Sequence, residues 1–166
     1  IILEQQVSLA SARAVFNKLS NIDSGLTPDS FLKLSDKKLR SLGFSRQKIL
    51  YCRILSAAAI NGEIDFSNHE TLPDSDVKNN LTSIKGIGNW TADCYLIFCL
   101  DRRDIWPSGD LAINKTLKIL KGLDYMPDFK ESNRIAEAWK PYRSIAARLL
   151  WHYYLSGNLK SVNRDN

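Results

Sequence analysis

Two places in the chain combine residue types and spacing that could do chemistry: Ser83-Ile84-Lys85-Gly86-Ile87-Gly88, and the aspartate of Ser108-Gly109-Asp110. In the first, glycine stands at alternate positions just ahead of an apolar run from Asn89. Glycine reaches backbone conformations closed to other residues and lets a ligand approach the main chain. The unpaired N–H groups of a helix start, at the positive end of its dipole, then form a site for an anion. On a nucleic acid that anion is a backbone phosphate, a contact that positions without reading sequence. The same residues also suit a plain helix–helix turn with Gly as C-cap. A dinucleotide fingerprint is excluded, because it needs a third glycine where Thr91 stands and a strand ahead of it. Asp110 precedes Leu111-Ala112-Ile113, which makes it a good N-cap. The positive end of a helix also keeps such a carboxylate ionised. Asp101 and Asp104 adjoin Arg102 and Arg103 and read as a solvated, charge-balanced loop.

The elements that must position these residues read as helices. Leu3, Val7, Ala10 and Ala14 form an apolar stripe on a first helix running to about Leu19. Thr27-Pro28 and Ser35-Asp36 each look like an N-cap and short helix, with Gly43 as a stop. Ser45 opens a longer helix with Ile49, Cys52, Ser56 and Ala59 on one face, ended by Gly62. A polar loop through His69 leads to a helix from Leu72-Pro73-Asp74 to about Leu81. Helical spacing then recurs over 89–100, 111–120, 132–139 and 141–155. Strand-like alternation is nearly absent, and the fold class is all-α. Without a linker, repeat or low-complexity tract, one domain over 1–166 is expected.

The 166 residues carry 23 Lys and Arg against 18 Asp and Glu, a net charge of +5 that favours polyanionic partners. Cys52, Cys94 and Cys99 lie in apolar runs with no Cys-x-x-Cys pair, which points to buried thiols in a reducing compartment. No apolar run nears the ~20 residues that cross a bilayer, so no membrane partner is expected. An intracellular protein follows, in a bacterial cytoplasm ahead of a eukaryotic nucleus. Ile1 in place of Met points to a trimmed or processed start.

The string Leu81-x-x-Ile84-x-Gly86-Ile87-Gly88-x-Trp90-Thr91-Ala92, with Gly109-Asp110 beyond it, resembles the HhH-GPD superfamily of DNA glycosylases. Within that superfamily the chain is similar to the 3-methyladenine DNA glycosylase II type, in its short all-helical form without a β-rich N-terminal domain. Glu4-Gln5-Gln6-Val7-Ser8 resembles the family's first helix, and Trp139-Lys140-Pro141-Tyr142-Arg143-Ser144 its late helical turn. The resemblance implies a hairpin at about 81–100 and two helical subdomains flanking a base-binding cleft. It also implies an activity: hydrolysis of the N-glycosidic bond of alkylated purines in duplex DNA, leaving an abasic site and initiating base excision repair.

On this resemblance Asp110 is the catalytic carboxylate, stabilising positive charge at C1′ and orienting water. Trp90 stands where bifunctional relatives carry a Schiff-base lysine, which implies a monofunctional enzyme without lyase activity. Trp90 and Trp151 would line the pocket for a flipped, cationic base. Cys94 and His152 replace tyrosines of the long form and leave the pocket roomier or differently polar. His152 could donate to the base or be an ordinary surface histidine. Gln6 stands at the family's wedge position and would fill the gap left in the stack. Gly86, Gly88, Asn89 and Thr91 of the hairpin would meet the backbone, with Lys85, Lys115 and Arg143 as phosphate contacts. The resemblance leaves room for a monovalent cation on hairpin carbonyls. It implies no metal of the protein's own and, with no cysteine after Cys99, no iron–sulfur cluster. A monomer suffices for one lesion. Deaminated or etheno bases, or a non-catalytic damage-binding module, are the alternatives.

Overall fold

The computed structural model describes residues 1–22 and 25–156, and among these the chain is helical with no strand. It divides into two compact units, Ile1–Ala92 and Asp93–Asn166.

In the first unit α1 is Leu9–Ser20, α2 Pro28–Lys33, α3 Asp36–Leu42, α4 Arg46–Ile60 and α5 Asp74–Thr82. Ser8, Thr27, Ser35 and Ser45 each precede a helix, and each side-chain oxygen accepts the N–H three residues on. These caps satisfy donors that the helix itself leaves open. The apolar stripe predicts a first helix from Leu3, but α1 starts at Leu9. Ile2–Glu4 is a 3-10 turn, and Gln6 has φ +57, a left-handed conformation that cannot continue a right-handed helix. Gly43, at φ +106, ends α3 as expected. Leu19, Phe31, Leu39, Leu42, Phe44 and Ile49 form one core cluster. Full burial of a residue such as Leu39 contributes roughly 1.5–3 kcal/mol. Arg53 of α4 fastens the end of α2, donating to the carbonyls of Leu32 and Leu34 and pairing with Asp36 at 2.7 Å. The loop before α5 is less polar than its composition suggests: His69 is fully buried, edge-on to Phe66 at 5.4 Å.

The boundary between units falls inside α6, Asn89–Phe98. The second unit continues with α7 Leu111–Leu120, α8 Phe129–Ala136 and α9 Arg143–Leu155. α8 begins earlier than the spacing predicts, because Asp128 accepts from the Glu131 N–H at 2.8 Å and caps it there. α7 packs on α9. Trp106, Ile113, Leu117, Ala136, Ala147 and Leu150 form the core between α7, α8 and α9. Among the described residues no helix is long and apolar enough to cross a membrane.

Candidate active site

The glycine hairpin belongs to the first unit. After α5, the Ile84 N–H donates to the Leu81 carbonyl and the Ile87 N–H to that of Ile84, a tight turn with both isoleucines buried. Gly86 has φ +97, and a Cβ there would lie 2.2 Å from the Tyr51 ring of α4. Both backbone and space therefore demand glycine at this position. At Gly88 a Cβ would meet nothing within 4 Å, so packing does not explain that glycine. Lys85, Gly88 and Asn89 are exposed at the start of α6. Thr91, expected beside them as a DNA contact, is buried, and its hydroxyl accepts from Gln5 Nε2 at 3.0 Å. The same Gln5 amide donates to the Gly86 carbonyl at 2.9 Å. Gln6, its neighbour, is exposed.

Asp110 belongs to the second unit. Pro107 and Gly109, the latter at φ +82, turn the chain, with the Asp110 N–H donating to the Pro107 carbonyl. The Asp110 carboxylate accepts from the Ile113 N–H at 2.8 Å and is 7% exposed, so it is the cap of α7 that the sequence predicts. The segment that delivers it is fastened along its length. Asp101 pairs with Arg148 at 2.7 Å, and Arg148 also donates to the Ile97 carbonyl. The Ile105 N–H donates to Ser144 Oγ at 2.9 Å. The Trp106 indole N–H donates to Ser132 Oγ at 3.2 Å, and the Ser108 hydroxyl lies 2.7 Å from Asn133 Oδ1. α8 and α9 thus hold the loop that ends in Asp110.

Arg143, expected as a phosphate contact, is engaged within the protein. Its guanidinium grips Asp104 from two nitrogens at 2.7 and 2.9 Å and also donates to the Asp104 carbonyl. This pairing holds the Asp104 carboxyl below its ordinary range. A side chain so engaged fastens the loop to α9. Asp101 pairs with Arg148 and Asp104 with Arg143, both partners distant in the chain. Trp90 is half-buried in the first turn of α6, and Cys94 is buried one turn on. Trp151 is half-buried with its ring 5.3 Å from that of Phe98, while His152 and Lys115 are exposed. The hairpin, Gln6 and Trp90 therefore sit in the first unit, and Asp110, Cys94, Trp151 and His152 in the second.

Of the hairpin carbonyls, Gly86 accepts from Gln5 Nε2, and those of Ile84 and Gly88 accept from the Ile87 and Ala92 N–H groups, each keeping a second lone pair that a monovalent cation could use. Sequence reasoning passed over Tyr51, Ser132 and Asn133, and gave Gln5, Asp104 and Ser144 no part in holding the site. None carries a local signal, since each acts on a residue distant in the chain.

Residues 1–141 match the family described as HhH-GPD superfamily base excision DNA repair protein. The chain belongs to this superfamily. Among HhH-GPD members it is 32% identical over 155 residues to the alkylbase DNA glycosidase-like protein mag2 of Schizosaccharomyces pombe, covering 90% of this chain and 73% of that one. A structure of the 3-methyladenine DNA glycosylase of the same yeast, in complex with abasic DNA, superposes with a TM-score of 0.85 at 33% identity. That superposition covers 90% of this chain and 75% of the other. The DNA-3-methyladenine glycosidase of Bacillus halodurans superposes with a TM-score of 0.76, again at 33% identity, over 92% and 71% of the two chains.

Proposed function

We propose that this HhH-GPD protein is a monofunctional glycosylase that hydrolyses the N-glycosidic bond of alkylated purines, 3-methyladenine and 7-methylguanine among them, in duplex DNA. The observation that carries the reading is Asp110, a buried carboxylate held as a helix cap at the end of a firmly fastened loop. As the base leaves, C1′ acquires positive charge, and a fixed anion stabilises that charge where it develops. The same carboxylate orients water for attack from the other face of the sugar. An alkylated purine is itself cationic and a good leaving group, so electron-rich faces such as those of Trp90 and Trp151 favour it by about 0.5–2 kcal/mol. The indole of Trp90 cannot form a Schiff base, which supports hydrolysis without strand cleavage. Lys85, Gly88 and Asn89, exposed at the positive end of α6, suit a backbone phosphate, and Lys115 is an exposed candidate for another. Gln6 is the candidate wedge. The similarity to glycosylases named for alkylated bases supports the substrate class. One chain provides all these groups, so we take a monomer acting where genomic DNA is held.

The test is single-turnover base release from duplexes carrying 7-methylguanine, 3-methyladenine, hypoxanthine or ethenoadenine, with Asp110→Asn as comparison. Release of alkylpurines by the unaltered chain alone, with strand breaks appearing only after alkali, is the expected result. Breaks without alkali would overturn the monofunctional reading. Binding without release of any base would make the protein a damage-binding module.

A further inference from the structure

Gln6 holds a left-handed backbone at φ +57 with its side chain exposed. A residue with a Cβ persists there only where its surroundings impose the conformation. They do so on both sides. Before it, Gln5 Nε2 donates to the Gly86 carbonyl and the Thr91 hydroxyl, 81 and 86 positions away, and Lys48 Nζ donates to the Leu3 carbonyl. After it, Ser8 caps α1. Gly86 is backed in turn by Tyr51, whose hydroxyl accepts from Gln47 at 2.7 Å. The hairpin turn and the Gln6 turn are thus mounted together on α4, with the Gln5 carboxamide as the tie between them. A cavity of about 310 Å³, lined by Leu3, Gln6, Val7, Ser11 and Lys48 among others, leaves the Gln6 turn room to shift once the tie is cut.

We propose that Gln5 is a positioning residue that locks the Gln6 wedge to the phosphate-binding hairpin, so that seating the hairpin on the backbone and driving Gln6 into the base stack are one event. Base flipping leaves a hole that a side chain must fill, and a plug set in place beforehand loses less freedom in filling it. The proposal rests on the reading of Gln6 as the wedge. It needs the amide as donor: a glutamate of the same length would set its oxygen against the Gly86 carbonyl, which can only accept.

The experiment uses the full chain and a duplex with a stable abasic analogue, 2-aminopurine opposite it reporting local unstacking. Gln5→Glu, Gln5→Ala, Gln6→Ala and the Gln5→Ala/Gln6→Ala double variant are compared, with thermal melting as a check on folding. The Gln5 variants should bind the duplex as the unaltered chain does but lose its fluorescence change to the level of Gln6→Ala. In single-turnover release from paired DNA, each single variant should lose about tenfold and the double variant about tenfold again in total, not a hundredfold, because coupled residues are non-additive. A full fluorescence change in the Gln5 variants, losses that multiply in the double variant, or loss of DNA binding in a Gln5 variant that melts normally would each overturn the proposal. The expected fluorescence pattern without base release by the unaltered chain would sink the glycosylase reading and leave the coupling standing.

Discussion

In the proposed function Asp110 serves the fold and the reaction with one side chain, and the two roles separate by substitution. In Asp110→Asn the amide oxygen can still accept from the Ile113 N–H, so melting should barely move, while loss of the charge should slow base release by about 10²–10³-fold. Asp110→Ala should lose release and also about 0.5–2 kcal/mol of stability, read by thermal melts beside the rate measurement. His69 supplies a second prediction. Burial, partly opposed by Asp65, holds its folded pKa below the ordinary 6.5. The unfolded chain therefore takes up this proton first as pH falls, and stability, complete above about 6.5, declines below it. Melting temperatures across about pH 5–7 should show that decline, flattened in His69→Gln. The sequence marked Asp110 by its neighbours but gave no sign that His69 is buried, because Asp65, Ser67 and Asn68 around it are polar.

At the scale of elements, the hairpin and the Asp110 loop are each held by groups far away in the chain. Gly86→Ala would drive a Cβ into Tyr51 from a left-handed backbone, so it should cost more than about 1 kcal/mol and lower the melting temperature by several degrees. Gly88→Ala meets open space and should melt normally, so any fall in its DNA affinity measures the methyl standing between backbone and phosphate. Arg143→Lys keeps the charge but not the two-pronged grip on Asp104, and should cost about 1–3 kcal/mol. Base release should fall with it as the loop loosens, while duplex affinity measured by titration stays unchanged. Helix starts were legible because Ser, Thr and Asp caps are local signals. The first helix was misjudged because an apolar stripe says nothing of the left-handed turn at Gln6.

The whole molecule carries net charge +5 and should bind duplex DNA with a steep dependence on salt. Each phosphate neutralised by a Lys or Arg contributes about −0.9 to the slope of log affinity against log salt, and affinity indifferent to salt would count against DNA as partner. By itself the sequence determined the helical class, the capped helix starts, the tight glycine turn and the capping aspartate. Each of these depends on residue type and on neighbours within one turn of chain. Only the tertiary structure decided that Thr91 faces Gln5, that Arg143 serves Asp104, that His69 is enclosed and that Gln5 ties Gln6 to the hairpin. Those outcomes depend on which of many polar groups meet across tens of residues, a choice made by packing and not encoded in local spacing.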